Sequence, residues 1–94
     1  MADTITDNVA ASRFELAIGD LVAFVDYRQS GAALVLAHAE VPRELEGRGI
    51  GSRLVRGVLE LARARGERLV PRCPFIAHYI ERHPEYADLV AAGP

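Results

Sequence analysis

The chain has 94 residues, of which 50% are hydrophobic and 26% are charged, and its formal net charge is −2. These values are typical of one small globular domain, and the slight negative charge argues against broad binding of nucleic acids. The longest uninterrupted apolar stretch, 32–37, is far shorter than the ~20 residues that a membrane-spanning helix needs. We therefore expect a single domain that binds neither nucleic acids nor membranes.

The basic residues and the single cysteine exclude several kinds of chemistry. All eleven basic residues are arginines, so Schiff-base catalysis and the lysine-containing P-loop are excluded. Cys73 cannot form an intramolecular disulfide, which favours a cytoplasmic protein. Residues 1–8 carry two aspartates and no apolar core, so we expect no signal peptide there.

The first half of the sequence predicts three strands. Residues 1–11 are polar and rich in small side chains, so we expect a flexible tail, with the domain extending over 12–92. Apolar residues alternate with polar ones over 13–18, and this strand is predicted to form a hairpin with 21–28. Residues 32–41 are apolar on both faces at first, which predicts a central third strand.

The second half predicts helix, strand and helix. Apolar residues recur at helical spacing from Ile50 until Gly66, which is a typical helix end. A short strand over 68–73 contains a proline and must therefore lack a partner on one side. A second helix begins near Pro74, and four side chains of this helix are predicted to point inward: Phe75, Ile76, Tyr79 and Ile80. The order β-β-β-α-β-α predicts an α/β fold with a mixed, mainly antiparallel sheet.

Three alternating glycines, Gly47, Gly49 and Gly51, lie directly before the long helix. Glycine permits positive φ and a close approach of other groups, and the free N–H groups of a helix start bind anions. The sequence therefore predicts a phosphate or pyrophosphate site at Gly47, Arg48, Gly49, Ile50, Gly51 and Ser52. The alternative is a flexible turn with a glycine-rich cap. The dinucleotide fingerprint is absent, because its third glycine would fall on Ser52 or Leu54.

Segment 45–52, Leu-Glu-Gly-Arg-Gly-Ile-Gly-Ser, resembles the acetyl-CoA pyrophosphate loop of the GNAT superfamily of N-acetyltransferases. The superfamily pattern is Gln/Arg-x-x-Gly-x-Gly/Ala, and its two glycines match Gly49 and Gly51. Its Gln/Arg position falls on Glu46, and a carboxylate there opposes a phosphate.

Two further segments narrow the resemblance to a minimal, single-domain Gcn5-related subfamily. They are His-Ala-Glu-Val-Pro over 38–42 and Pro-Arg-Cys-Pro-Phe over 71–75. This resemblance implies a trimmed GNAT-like fold in which the strands ending at Val41 and Cys73 splay apart. Coenzyme A would lie in that opening, bonded to backbone groups near Val41.

The resemblance further implies transfer of an acetyl group from acetyl-CoA to an amine, either a small molecule or a protein. The protein would act as a monomer or as a weak homodimer. The alternative is a regulatory module that binds acyl-CoA without turnover. Glu46 favours this alternative, as does Ile80, which stands where most members of the superfamily have a tyrosine acid.

Three residues are candidates for catalysis. The resemblance places Cys73 beside the thioester, where it is either a nucleophile or only a packing residue. His38 and Glu40 share one face of the third strand about 7 Å apart and could relay a proton. Leu34 and Leu36 lie on that same face, so either a bulge turns His38 outward or it is a core histidine. No metal site is expected, because the remaining histidines diverge and no second cysteine exists.

Overall fold

The computed structural model describes residues 4–91, which form one five-stranded sheet with two helices. The strands are β1 (Thr6–Asn8), β2 (Arg13–Ile18), β3 (Leu21–Ser30), β4 (Ala33–Glu40) and β5 (Arg68–Pro71), and they lie in the sheet in chain order. Neighbours are antiparallel from β1 to β4, whereas β5 is parallel to β4. The helices are α1 (Ile50–Arg65) and α2 (Pro74–Arg82). The predicted α/β fold with a mixed, mainly antiparallel sheet is confirmed.

Strand β1 lies inside the segment that the sequence predicts to be a tail, and its contacts are long-range. Asp7 accepts a hydrogen bond of 2.6 Å from the Tyr27 hydroxyl and one of 2.8 Å from Arg65. Burial raises the pKa of Asp7, but these hydrogen bonds and the charge of Arg65 outweigh it, so the pKa is lowered. Ile5 packs against the core, and a Cβ at Gly57 of α1 would lie only 2.6 Å from its side chain.

The hydrophobic core lies between one face of the sheet and both helices. From the sheet it contains Phe14, Leu16, Ala23, Val25, Leu34, Leu36 and Leu69. From the helices it contains Ile50, Leu54, Val55, Val58, Leu59, Ala62, Ile76 and Ile80. The opposite face of the sheet, here called the outer face, carries polar side chains together with Phe24 and the buried Val35. There the Arg13 guanidinium lies 3.7 Å from the centroid of the Phe24 ring, and its Nε is 3.5 Å from Asp26.

Helix α1 begins and ends as predicted. Its C-cap, Gly66, adopts a φ of +68°, which glycine tolerates best, and it donates to the carbonyls of the last turn. The predicted apolar face is buried apart from Leu61, which is half-buried. Arg63 and Arg65 in the last turn are favourable beside the negative end of the helix dipole.

Helix α2 is followed by a 3-10 helix over Pro84–Leu89. Arg63 holds this segment against α1 through two hydrogen bonds of 2.9 Å to Asp88. Ile76 and Ile80 point inward as predicted, whereas Phe75 is 48% exposed and Tyr79 is half-buried. Within residues 4–91, every helix is too short or too polar to cross a membrane.

Candidate functional site

Strands β4 and β5 separate halfway along β4. Their pairing runs from Ala33 with Arg68 to Leu36 with Pro71 and then stops. The carbonyl of Leu36 accepts hydrogen bonds from the N–H groups of both Arg72 (3.0 Å) and Cys73 (3.1 Å), which turns the chain after β5 away. Residues 37–40 of β4 therefore continue beside β3 alone. This opening is the splay that the sequence resemblance implies, although β4 ends at Glu40 and not at Val41, and β5 ends at Pro71 and not at Cys73.

A β-bulge in β4 lies at the same point. Asp26 pairs with His38 and Tyr27 pairs with Leu36, so Ala37 is the extra residue. An extra residue reverses the alternation of side chains, and His38 leaves the face that Leu36 occupies. Ala39 takes the core side instead. Of the two alternatives that the sequence leaves open, the bulge that turns His38 outward is confirmed, and the core histidine is wrong.

His38 and Glu40 lie together on the outer face. The Nε2 atom of His38 is 3.3 Å from the Oε1 atom of Glu40, and both side chains are exposed. They form an ion pair only when the imidazole is protonated. Asp26 is the cross-strand neighbour of His38, and Phe24 is that of Glu40. The arrangement combines an imidazole with nearby carboxylates, which can accept and pass on a proton.

The glycine segment forms the start of α1. Gly47 and Gly49 adopt φ values of +81° and +71°, which L side chains rarely adopt. Gly49 is the N-cap residue, and because it has no side chain it makes no capping hydrogen bond to the first turn. The first hydrogen bond of the helix runs from the Arg53 N–H group to the Gly49 carbonyl (3.1 Å). The N–H groups of Ile50, Gly51 and Ser52 therefore have no partner within the helix. The positive end of a 16-residue helix thus presents free N–H groups.

A groove of about 430 Å³, here called the loop groove, opens at this helix start. Its lining residues are Ala39, Val41, Leu45, Glu46, Gly47, Gly49, Ile50, Gly51, Ser52 and Phe75. Of the predicted binding residues, all but Arg48 line it. Glu46 is the one charged side chain in this lining. The groove runs from the helix start to the unpaired end of β4 at Ala39 and Val41.

Phe75 is the lining residue that the sequence did not assign to the site. A Cβ built on Gly51 would lie 3.0 Å from the Cζ atom of Phe75 and 3.7 Å from a methyl group of Val41. A Cβ at this position would therefore be in tight contact with the ring and would push it away from α1 by a few tenths of an ångström. The helical spacing of α2 predicts Phe75 as a core residue, and only the position of α1 shows that the ring packs across the helix start.

Cys73 is buried, with 6% of its surface exposed, and it belongs to the core. It precedes Pro74, the first residue of α2, and its N–H group is held by Leu36. The thiol does not belong to the lining of the loop groove. His38 and Glu40 lie on the outer face, so the structure places the three predicted catalytic residues on two sides of the sheet.

A second groove of about 610 Å³, here called the α2 groove, adjoins the first. Its lining residues are Ser52, Pro74, Phe75, His78, Tyr79, Arg82 and His83, and the two grooves share Ser52 and Phe75. The rings of Tyr79 and His83 are stacked with centroids 4.0 Å apart and planes inclined by 14°. Burial raises the pKa of Tyr79, so its hydroxyl stays protonated at neutral pH. Within residues 4–91, no group of three His, Cys, Asp or Glu side chains is arranged to hold a metal ion.

Comparison with known proteins finds a matching family model and matching solved structures, of which one is described here. A family model described as GCN5-related N-acetyl-transferase matches residues 13–89. The solution structure of a GCN5-like protein from Staphylococcus aureus superposes with a TM-score of 0.70 at 25% sequence identity. That match covers 100% of this chain and 94% of the other. No curated protein sequence matches the chain.

Proposed function

This chain belongs to the GCN5-related N-acetyltransferase family, and on that basis we propose that it binds acetyl-CoA in the loop groove and transfers the acetyl group to an amine. The observation that carries the proposal is the uncapped start of α1, which opens onto a groove continuous with the unpaired end of β4. The single cysteine fits a cytoplasmic place of action.

The site can hold two parts of the ligand, the pyrophosphate and the pantetheine arm, at two places along the groove. The N–H groups of Gly51 and Ser52 bind the pyrophosphate, since free N–H groups and the helix dipole both favour anions. The backbone of 37–40 is unpaired toward β5, so it offers N–H and carbonyl groups to the amides of the pantetheine arm, much as an exposed strand edge binds a peptide. The apolar side chains of Val41 and Phe75 border this path.

On the outer face, His38 and Glu40 remove a proton from the acceptor amine. An amine is mostly protonated at neutral pH and must lose a proton before it attacks. His38 accepts that proton and Glu40 stabilises the resulting imidazolium. The amine nitrogen then attacks the thioester carbon, the carbon–sulfur bond breaks, coenzyme A leaves as a thiolate, and the nitrogen releases its second proton to solvent as the amide forms. Ile80 is buried and carries no proton to donate, so the thiolate takes its proton from solvent.

The proposal is tested by calorimetry with acetyl-CoA and coenzyme A. Gly49→Val and Gly51→Val should each abolish binding while the circular dichroism spectrum stays nearly unchanged. The first forces a branched side chain into a positive φ, and the second pushes into the Phe75 ring. Gly31→Val is the matched control, because Gly31 has a similar φ of +60° in the turn before β4. Normal binding by both loop variants would overturn the assignment.

The burial of Cys73 favours direct transfer over an acetyl-cysteine intermediate. After incubation with acetyl-CoA, mass spectrometry should find no hydroxylamine-labile acetyl group on Cys73. Cys73→Ala should retain transfer to the amines that the wild type uses, tested with a polyamine and with peptides. If Cys73 is labelled, and Cys73→Ser loses both label and transfer while still binding coenzyme A, then the covalent route is correct. With no lysine in the chain, only the α-amino group competes, and an amide there resists hydroxylamine.

Glu46 gives one specific reason to keep the second candidate, a module that binds acyl-CoA without turnover. Its carboxylate lines the groove in which the phosphates would lie, and this lowers affinity. The two candidates differ in one measurement. A module binds acetyl-CoA in calorimetry yet leaves its thioester intact in the presence of each tested amine.

A further inference from the structure

Two arginines on the outer face of the sheet, Arg28 and Arg72, have no part in binding coenzyme A or in moving a proton. We infer that they bind a carboxylate of the acceptor, so that the substrate class is a primary amine with a carboxylate about 7 Å away, as in a dipeptide or an ω-amino acid. This inference rests on the proposed function, because the acceptor amine must meet His38 on the same face. It adds the acceptor's second charged group.

Strand geometry places both arginines on the outer face. In β3, Arg28 follows Tyr27, whose side chain packs against the core, so the two side chains lie on opposite faces. After β5, Arg72 precedes Cys73, which belongs to the core, and the same alternation applies. The Arg72 N–H group donates to the Leu36 carbonyl (3.0 Å), so this residue lies where β4 and β5 separate. The two arginines therefore flank the strand that carries the proton acceptor.

Both guanidinium groups are available to a ligand. Within residues 4–91, the exposed side chains of Arg28 and Arg72 form no ion pair and no hydrogen bond. Other arginines of this face are engaged, since Arg13 lies over the Phe24 ring and Arg68 donates to a backbone carbonyl. In the described part of the outer face, Arg28 and Arg72 are thus the cations left for an anion.

A buried valine lies between the two arginines. Val35 is only 4% exposed, although the helices pack on the other face of the sheet. Its cross-strand neighbours are Arg28 and Val70, and Arg72 follows Val70 by two residues. Side chains of the outer face itself must therefore cover Val35, and arginine stems cover apolar surface in this way while their charged ends stay in water. The two guanidinium groups can thus meet one carboxylate above Val35.

The amine end of the acceptor lies two residues further along the strands. Asp26 precedes Arg28 by two residues on the same face of β3, which is a distance of about 7 Å. Asp26 pairs with His38, which lies beside Glu40, so this end of the face attracts an ammonium group. A fully extended chain of two residues also spans about 7 Å. The outer face therefore matches an acceptor with an amine at one end and a carboxylate at the other.

The experiment compares the dipeptide alanyl-alanine with its C-terminal amide, which has the same length and no carboxylate. At saturating acetyl-CoA and low ionic strength, mass spectrometry of the acetylated products should give the dipeptide a kcat/KM about fivefold higher. Arg28→Gln combined with Arg72→Gln should bring this ratio close to one by raising the KM of the dipeptide, and should leave the kcat/KM of the amide unchanged. Arg56→Gln is the matched control, because it removes one charge from an exposed position on α1, and it should keep the ratio.

A second comparison tests the distance between the two charges. Alanine and trialanine place the carboxylate nearer to the amine and farther from it, so their ratios of acid to amide should be smaller than that of alanyl-alanine. A ratio that does not depend on length would overturn the inference while leaving acetyl transfer intact. So would an unchanged ratio in the double variant, or faster acetylation of the diamine putrescine than of alanyl-alanine. If the wild type binds acetyl-CoA in calorimetry but acetylates none of these probes, the proposed transfer falls and the inference falls with it.

Discussion

Strand β4 consists of two halves that differ in almost every respect. In the closed half, 33–36, both edges are hydrogen-bonded and three consecutive side chains are buried. In the open half, 37–40, one edge lacks a strand partner and three of the four side chains are exposed. The change occurs within one residue, at the bulge. A sheet can thus present a binding edge without losing stability, provided that the same strand is firmly held a few residues earlier.

The two halves of β4 also have different roles in the molecule. The closed half supplies core side chains and the Leu36 carbonyl that turns the chain after β5 away. The open half borders the loop groove on one side and carries His38 and Glu40 on the other. We therefore expect substitutions in the closed half to change the free energy of unfolding, and substitutions around the open half to change ligand binding.

The largest expected effect is that of Leu36→Ala in the closed half. The Leu36 side chain is fully buried, and its truncation leaves a cavity that should cost about 3 kcal/mol of the free energy of unfolding. Ala37→Ser, one residue further and exposed, should cost less than about 0.5 kcal/mol. Urea denaturation followed by circular dichroism measures both. Equal losses for the two variants would show that the halves are not energetically distinct.

The next effect is a loss of stability at alkaline pH. Burial and the Asp7 hydrogen bond raise the pKa of Tyr27 to about 12. An unfolded tyrosine has a pKa of about 10. The raised pKa therefore contributes stability that is fully present below about pH 10 and is lost as pH rises through about 12.

Urea titrations at several alkaline pH values should show this loss, and Tyr27→Phe should lessen it. Burial and Glu60 raise the pKa of Tyr86 to about 12 in the same way, so the double variant with Tyr86→Phe should lessen it further. Removing the Tyr27 hydroxyl should also cost about 1 kcal/mol at neutral pH. An alkaline profile that is identical in wild type and double variant would contradict the assignment of these tyrosines.

The smallest effect concerns Glu46 beside the open half. Glu46→Arg should tighten coenzyme A about threefold at low salt, because a carboxylate near two phosphates becomes a cation. The gain should shrink at high salt, where exposed charges are screened. Glu44→Arg makes the same change of charge in the neighbouring 3-10 turn, outside the groove lining, and should change affinity less. Unchanged or weaker binding by Glu46→Arg would show that Glu46 does not face the phosphates.

The sequence predicts the features that depend on local pattern. Helical spacing locates α1, and the glycines before it locate the loop groove, because helix starts and positive φ values are set within a few residues. The bulge at Ala37 is different. In the sequence, His38 falls on the face of Leu34 and Leu36, which leaves either a bulge or a core histidine possible. Only the pairing of β4 with Asp26 and Tyr27 shows that the bulge is present.

Two other features could not be predicted because they also depend on contacts between distant parts of the chain. Strand β1 looks like a polar tail because Asp7 gains its partners, Tyr27 and Arg65, from distant parts of the chain. Phe75 lies at a core position of the α2 pattern, yet the absence of a side chain at Gly51 lets it pack across α1 instead. Both depend on contacts between elements that are far apart in sequence.

Strand β1 has a consequence for the solubility of the molecule. It pairs with residues 13–15 of β2, the first half of a six-residue strand, whose N–H and carbonyl groups would otherwise be available to a strand from another molecule. Ile5 and Asp7 hold this cover in place through Gly57 and Arg65 of α1. The space left at Gly57 therefore protects the protein from edge-to-edge aggregation, far from any site of binding or catalysis.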